Sequence, residues 1–339
     1  QALSTNISGT KNTAVGKGAL TTNAVSNNTA IGYNAMNLNT TGANNTALGS
    51  FAMENNTTGT RNLAIGYAAY DASDTENDNV AIGYEALTTD NAGGQYNIAL
   101  GNYSLDAVTS GDSNIAIGHE AGSAVTTASN SISIGHNAGA SLVSGSHNIF
   151  IGASSGSSDI GTSNGIKNVC IGIETDTSGT GSVAQMVMGY NVTGNADNSF
   201  CFGNAGTDSA IAFGATSISA PSDIRLKENI NDDVAGLSFI NDLRPVTYEW
   251  KNEGDLPVGH NSYVEGSTEQ FKNSTVNHGF IAQEVKEVID SHSEIKDGFN
   301  MWREDYQDGR QRIAEGALVP MLVKAIQELS AEIEILKAK

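Results

Sequence analysis

The sequence has very little cysteine and proline. Its 339 residues include two cysteines and four prolines. Two cysteines are too few for a disulfide framework in a chain of this length. The first proline is Pro221, so every backbone N–H before it is available for a hydrogen-bonded ladder.

Positive charge is also scarce. The chain has 17 Lys and Arg against 37 Asp and Glu, which gives a formal net charge of −20. This balance argues against nucleic acid and against anionic membrane surfaces as partners, because both require a basic face. No apolar run approaches the length of about 18 residues that a membrane span needs. The first residues, QALSTNISGT, carry no signal-peptide pattern and no initiator Met, as expected of a fragment or a processed chain.

The charge is distributed unevenly, with a border near residue 221. Residues 1–220 contain 4 Lys and Arg and 15 Asp and Glu, whereas residues 221–339 contain 13 and 22. Both tryptophans, Trp250 and Trp302, also follow the border. Such a change of composition predicts two different architectures in one chain.

A short motif repeats along the first part of the chain, in forms such as NTAVG, NTAIG and NIALG. Its glycine recurs in steps of 16 to 18 up to Gly152 and then less regularly, and a small-apolar pair such as Ala19-Leu20 follows it closely. The repeat glycines are Gly16, Gly32, Gly49, Gly66, Gly83, Gly101, Gly118, Gly135, Gly152, Gly172, Gly189 and Gly203. Self-similarity at a fixed period is typical of solenoids.

The repeat unit reads as a short strand followed by turn residues. Apolar or β-branched residues stand one and three places before the glycine, with a small residue between them, which is period-two alternation. Two short strands per repeat would form one coil, and the coils would stack around a thin core of Ala, Val and Ile. We expect a repeat domain over residues 1–175 and a tapering β neck over residues 176–221.

Several residues in the repeats resemble binding sites but fit the repeat better. Cys170 and Cys201 occupy the slot of the small residue and are predicted to be packed thiols. Asp74, Glu76 and Asp78 with Glu85 roughly imitate a calcium loop, although Asn79 stands where that loop requires glycine. His119 and His136 follow repeat glycines and are expected in solvent. We therefore predict no metal site and no cofactor.

The last part of the chain has a mixed α and β texture. Residues 246–250, Val-Thr-Tyr-Glu-Trp, alternate as a strand, and residues 279–285 open a strand or a helix. Leu322, Ile326, Leu329, Ile333 and Leu336 are spaced in steps of four, three, four and three. This spacing predicts a helix over about residues 316–338 with a coiled-coil seam. A homotrimer is the simplest assembly.

The repeats resemble the head of trimeric autotransporter adhesins over about residues 10–175. In that family the same Asn-x-Ala-Ile-Gly pattern builds a left-handed β-roll, and three rolls pack around one axis. The resemblance therefore implies a left-handed, mainly β solenoid that is trimeric.

Residues 222–339 resemble the endosialidase-type intramolecular chaperone domain of phage tailspikes and tail fibres. Four ordered motifs carry the resemblance. They are SDIRLKENI at residues 222–230, LRPVTYEW at 243–250, GFIAQEV at 279–285 and LVKAIQEL at 322–329. The resemblance implies a small α+β domain that holds three chains in register during folding and then cuts itself off.

In the family the cut falls just before the first serine, which corresponds here to the bond between Pro221 and Ser222. The resemblance assigns Ser222 as the nucleophile and Lys227 as the residue that assists it. We assign Asp223 and Arg225 to fixing the local fold or to a subunit contact. A serine needs a neighbour that takes its proton, and a desolvated lysine can do so. Without the resemblance, Ser222 would be read as a helix N-cap and Lys227 as a solvated side chain.

Three functions follow as hypotheses. The first is a host-attachment fibre of a virion tail, made in the host cytoplasm, that binds other tail proteins and a cell-surface glycan or outer-membrane component. The second is a bacterial-type trimeric surface adhesin. The third is a fibre that keeps its C-terminal trimerisation cap uncleaved. A glycan-cleaving tailspike is disfavoured, because no pair of carboxylates stands out.

Overall fold

The computed structural model describes residues 1–339 except 7, 73, 90–92, 158–163, 216–217, 219–221, 261, 297–298, 300 and 305–309. The chain divides into two compact units, Gln1–Asp223 and Ile224–Lys339.

The first unit is a β-solenoid, so the predicted mainly β fold is confirmed. Within the described residues, each coil contributes one strand to a single thirteen-stranded sheet whose strands follow chain order. The strands are β1 Thr13–Val15, β2 Thr29–Ile31, β3 Thr46–Leu48, β4 Leu63–Ile65, β5 Val80–Ile82, β6 Ile98–Leu100, β7 Ile115–Ile117, β8 Ile132–Ile134, β9 Ile149–Ile151, β10 Val169–Ile173, β11 Met186–Tyr190, β12 Ser199–Asn204 and β13 Ser209–Ala212. Strands β1 to β12 pair in parallel, and β13 pairs antiparallel with β12.

The prediction of two strands per coil is wrong. The small-apolar pair after each glycine lies in a turn, because its second residue has a positive φ, as in Met36 (53°), Met53 (54°) and Tyr70 (55°). Hydrogen bonds still join successive coils there, from Met36 N to Ala52 O and from Met53 N to Ala69 O. The left-handed backbone bends each coil sharply and prevents an extended second strand.

The core differs from the predicted mixture of Ala, Val and Ile. The middle residue of each strand faces inward, and Ala30, Ala47 and Ala64 are fully buried. The larger apolar side chains of the core come from the turns, such as Met53 and Tyr70, which are also fully buried. The β-branched strand residues on either side point outward, because successive side chains of a strand alternate between its faces.

A column of buried asparagines joins backbone groups of the coils by hydrogen bonds. Asn62 donates from Nδ2 to the carbonyl oxygen of Glu76 at 2.7 Å, and its Oδ1 accepts the backbone N–H of Asn79 at 2.9 Å. Asn45 accepts the backbone N–H of Asn62 in the same way at 2.8 Å. The recurring Asn of the motif therefore pairs backbone groups that one strand per coil would leave buried without partners.

The repeat glycines allow the coils to stack. Gly66 has a φ of +138°, and a Cβ at this position would lie 2.1 Å from the carbonyl oxygen of Gly83 in the next coil. No L-side chain fits such a distance, and the backbone conformation also disfavours one. Glycine is thus required at this position of the repeat.

The second unit is small and mixed. Its helices are α1 Leu237–Asp242, α2 Ala282–Ser291 and α3 Val319–Lys337. Strand β14 Val246–Tyr248 pairs antiparallel with β15 Asn277–Gly279, and β16 Trp302–Glu304 pairs antiparallel with β17 Gln311–Ile313. Its core is a cluster around Phe239, Val285, Ile289, Met301 and Met321. Among the described residues, no helix is both long and apolar enough to cross a membrane.

Candidate autoprocessing site and assembly surfaces

The first motif, residues 222–230, contains a short turn. Ile224–Leu226 form one turn of 3-10 helix, which the backbone N–H of Lys227 closes on the carbonyl oxygen of Ile224 at 3.1 Å. Ser222 and Lys227 stand on either side of this turn, and both are exposed. Arg225 is exposed as well, whereas Asp223 is half-buried. Pro221, and with it the predicted scissile bond, lies outside the described residues.

The second and third motifs contact each other in the second unit. Strand β14 belongs to the LRPVTYEW motif and pairs with β15, whose Gly279 opens the GFIAQEV motif; the partners in register are Val246 and Gly279. Next to this pairing, the Arg244 guanidinium donates two hydrogen bonds to the Glu284 carboxylate, one of them from Nε at 2.9 Å. These bonds hold the pKa of Glu284 below its usual value. Two motifs that lie far apart in the sequence thus form one local structure.

The fourth motif reaches the second unit through helix α3. The carboxylate of Glu328 accepts the backbone N–H of Leu237 at 2.7 Å, at the first residue of α1. A carboxylate at a helix N-terminus satisfies a backbone donor that lacks an intrahelical partner. Met321 and Ala325 are buried on the same side of α3. The helix is therefore docked onto its own unit through a face that the heptad spacing did not reveal.

The predicted coiled-coil seam lies on a different face of α3 and is exposed. Its five residues, Leu322, Ile326, Leu329, Ile333 and Leu336, are between 42% and 67% exposed in the single chain. A stripe of five large apolar side chains is rarely left exposed to water on a soluble monomer. Since the docking face is already occupied within the chain, the seam remains available to other helices.

A histidine joins two helices in this unit. His292 is 8% exposed and lies just beyond α2. Its Nδ1 lies 2.8 Å from Glu294 Oε1, and its Nε2 lies 2.9 Å from Asp242 Oδ2 at the end of α1. The hydrogen bond with Glu294, followed by that with Asp242, raises the pKa of His292 above its ordinary value. Two carboxylate partners favour the doubly protonated ring.

A cavity lies in the second unit, and the sequence patterns did not indicate it. Its volume is about 970 Å³, and its wall includes Trp250, Phe271 and Lys272 as well as Arg303. The Lys272 ammonium lies 4.1 Å from the centre of the Trp250 ring. The only signal in the sequence is the cluster of aromatic residues around β14, which periodicity does not connect to residues 271 and 303.

The outer face of the solenoid sheet is apolar. The residue before each repeat glycine points outward, and several of these side chains are more than a third exposed: Val15, Ile31, Leu48, Leu100 and Ile151. Neighbouring strands are about 4.8 Å apart, so the twelve parallel strands carry this column over roughly 50 Å. An apolar surface of this length is typical of a protein interface.

A row of aromatic side chains, termed the aromatic ladder, runs beside this face. Each member stands one or two places after a repeat glycine, and successive ring centres are 5.2 to 5.9 Å apart. Its members are Tyr33, Phe51, Tyr67, Tyr84, Tyr103, His119 and His136. His119 and His136 are exposed, as predicted. The ladder itself was missed, because the ring alternates between two positions of the repeat.

The other candidate residues in the repeats have structural contacts. Cys170 and Cys201 are free and buried, as predicted, and burial raises the pKa of the Cys170 thiol. In the segment that imitates a calcium loop, the Glu76 carboxylate accepts the backbone N–H of Asp74 at 2.9 Å. Asp78 pairs with Arg61, whose Nε lies 2.6 Å from Oδ1. The local turn and the neighbouring coil thus use these carboxylates.

Comparison with known proteins bears on the second unit. Residues 222–293 match the family model described as chaperone of endosialidase. The match begins at Ser222 and contains the first three motifs, which confirms the predicted C-terminal chaperone-type segment. It covers roughly a fifth of the chain. No curated protein and no solved structure matches the chain. The combination of a β-solenoid with such a segment suits a fibre.

Proposed function

We propose that the chain is a trimeric host-attachment fibre of a virion tail whose C-terminal segment directs folding and then cleaves itself between Pro221 and Ser222. The observation that carries the proposal is the family match, which starts at Ser222, directly after a long β-solenoid. The released fibre would bind a receptor on the host surface and other proteins of the tail. It would be made in the host cytoplasm and act outside the cell.

Two surfaces support the trimer. The seam of α3 offers about two heptads of apolar residues, which are marginal as an isolated coiled coil but are anchored to the second unit by Met321 and Ala325. The apolar outer face of the solenoid provides a much longer contact. Three chains that associate through both surfaces would bury the side chains that a single chain leaves in water.

The cleavage chemistry follows from Ser222 and Lys227. Oγ of Ser222 attacks the carbonyl carbon of Pro221, and its proton passes to the neutral amine of Lys227. The bond from that carbon to the nitrogen of Ser222 breaks, and the nitrogen takes up the proton as an amine. The resulting ester is hydrolysed by water, which leaves a carboxylate on Pro221. The attack is intramolecular, so its positioning is arranged by the fold.

Assembly would supply the activation of the lysine. Lys227 is exposed in the single chain, whereas a lysine becomes a base at neutral pH when burial disfavours its charged form. A neighbouring chain that covers the turn at Ile224–Leu226 would provide this burial. The proposed cleavage therefore follows trimer formation, and only assembled chains would be cut.

Intact mass under denaturing conditions tests the proposal. Wild-type protein should yield two fragments that meet at the bond between Pro221 and Ser222. Ser222→Ala and Lys227→Ala should remain whole, whereas the control variants Ser274→Ala and Lys251→Ala, which change exposed residues of the second unit, should be cut like the wild type. Cleavage of Ser222→Ala at the same bond would contradict the assigned nucleophile.

A permanent C-terminal cap is the second candidate, and the exposure of Lys227 favours it. In that case the wild-type protein stays uncut even as a stable trimer. A single wild-type mass, measured on protein whose trimeric state is established by light scattering, would select this alternative. The second unit would then be the tip of the fibre.

A further inference from the structure

The aromatic ladder lies outside the solenoid core. Tyr33, Tyr67 and Tyr84 are between 41% and 46% exposed, although the core of the same coils is filled by other residues. Ring-to-ring contacts join seven successive coils without a break. A row of exposed aromatic side chains on a surface is a feature of interaction sites rather than of packing.

Carboxylates from the same coils stand beside the rings. A hydrogen bond with Glu85 raises the pKa of Tyr84 to about 12. The Glu120 carboxylate lies 3.8 Å from Nδ1 of His119. Tyr103, Glu120 and Asp106 line a common depression of about 350 Å³. The ladder is therefore bordered by negative charge over its middle coils.

Two further carboxylates in these coils, those of Asp71 and Asp106, are half-buried and electrostatically crowded. Burial, with the charges of Glu54 and Glu85, raises the pKa of Asp71 to about 6. Burial, with the charges of Glu120 and Glu85, also raises the pKa of Asp106. Oδ1 of Asp106 is buried and has no hydrogen-bond partner among the described atoms. A ligand with positively charged groups would reduce the electrostatic repulsion among these carboxylates.

The chain itself places a cation at one end of the ladder. Lys17 stands directly after Gly16, at the position that the ring occupies in the next coil, and its Nζ lies 5.8 Å from the centre of the Tyr33 ring. This is the geometry of a cation–π contact. The whole segment before Pro221 contains only four Lys and Arg, so the solenoid offers the ladder few cations of its own.

We propose that the aromatic ladder with its bordering carboxylates binds a linear glycan that carries free amino groups. A sugar ring advances a glycan by a distance comparable to one coil, so one sugar can face each ladder ring. The apolar faces of sugars pack against aromatic side chains, and ammonium groups meet the carboxylates and the ring electrons. A neutral glycan would leave the carboxylates unpaired, and a flexible polyamine would lack the sugar rings.

This inference deepens the proposed attachment role, and it rests on that role for its biological context. Its test is nevertheless separate, because it measures binding of a defined oligosaccharide to the purified full chain. A fibre that adsorbs to host cells but does not bind the amino-glycan would overturn only the present inference. A chain that binds the oligosaccharide but adsorbs to no cell would overturn only the attachment role.

Isothermal titration calorimetry of the full chain with a glucosamine hexasaccharide is the experiment. We expect binding at near-neutral pH that weakens as salt is added, because the contacts are partly ionic. The matched N-acetylglucosamine hexasaccharide, which lacks the charges, should bind at least about tenfold more weakly. Equal binding of the two sugars, or tight binding of spermine with no preference for the sugar, would overturn the proposal.

Variants locate the binding to the ladder. Tyr67→Ala combined with Tyr84→Ala, and separately Glu85→Gln combined with Glu120→Gln, should each weaken binding by about tenfold. Tyr96→Ala and Glu174→Gln, which alter exposed residues outside the ladder, should leave the affinity unchanged. Circular dichroism confirms that each variant is folded. Unchanged affinity in both folded ladder variants would show that the sugar binds elsewhere.

Discussion

At the scale of single residues, the asparagine before each strand has the most consequence for stability. An asparagine on a protein surface is usually replaceable. Most of the asparagines before these strands are instead buried, and their side chains hydrogen-bond to backbone groups. Asn62 pairs both the N–H of Asn79 and the carbonyl of Glu76. Both residues are buried, so the pairing of these groups depends on this one side chain.

Asn62→Ala is expected to lower the free energy of unfolding of the solenoid by about 2 to 5 kcal/mol, because two buried backbone groups lose their partner. Asn55→Ala, in the preceding coil, changes an exposed side chain and should have an effect below about 0.5 kcal/mol. Urea unfolding followed by circular dichroism measures both. Similar stability of the two variants would contradict the role assigned to the asparagine column.

We expect His292 to make the stability of the second unit depend on pH. Its pKa is raised in the folded state by Glu294 and Asp242, so the folded protein holds the proton more strongly than the unfolded chain does. This stabilisation is fully present below the ordinary histidine pKa of about 6.5 and is lost as the pH rises through the raised folded value. We expect the melting temperature of the second unit to fall over this window.

The control for this effect is His292→Gln, which keeps a polar side chain but cannot titrate. The variant should be less stable than the wild type below about pH 6, and its melting temperature should change much less as the pH rises. Differential scanning calorimetry over a pH series measures this. A wild type and variant with parallel pH profiles would mean that other groups determine the dependence.

At the scale of elements, helix α3 has two apolar faces with different purposes. Met321 and Ala325 are buried against the helix's own unit, whereas Ile326 is 65% exposed and belongs to the seam. Under the proposed assembly, neighbouring positions of one helix would thus serve two ends, folding of the chain and association between chains.

Substitutions on the two faces of α3 should therefore have different effects. Met321→Ala removes buried volume and should lower the free energy of unfolding by about 2 to 5 kcal/mol. Ile326→Ala should change the stability of the separate chain by less than about 0.5 kcal/mol but weaken the proposed trimer. Chemical unfolding and sedimentation velocity distinguish the two. A strongly destabilised but monomeric Ile326→Ala chain would contradict the assignment of the seam.

At the scale of the whole molecule, the proposed cleavage depends on the assembly of several chains. Ser222 and Lys227 are both exposed in one chain, so the chemistry proposed for them requires a second chain to exclude water. We propose the apolar sheet face and the exposed seam of α3 as the surfaces through which further chains associate.

Blocking assembly should block cleavage without touching the site. Ile326→Glu combined with Leu329→Glu places charges in the seam, and we expect a monomeric protein of one uncut mass. Gln327→Glu combined with Ala331→Glu adds the same charge at exposed positions of the same helix outside the seam, and this variant should still assemble and cut. Intact mass and light scattering on the same samples decide this. A monomeric variant that is cut at wild-type rate would show that one chain suffices.

Some of this fold follows from local pattern. The repeated glycine with its alternating neighbours predicted the solenoid, because a short period repeated so many times has few other solutions. The four prolines and the charge border separated residues 1–220 from the rest, and the heptad spacing located α3. The motif at residues 222–230 indicated Ser222 and Lys227 through resemblance, and the family match starts at the same serine.

Only the tertiary structure decided which side chains face inward and which surfaces result. Positive φ values at residues such as Met53 turned the expected second strand into a turn, and this placed the large side chains inside and the β-branched ones outside. Strand alternation is symmetric, so the sequence alone does not say which face is buried. The aromatic ladder, the docked face of α3 and the partners of His292 join residues from different coils or helices. Such contacts depend on how the coils and helices pack, which a pattern along one chain does not specify.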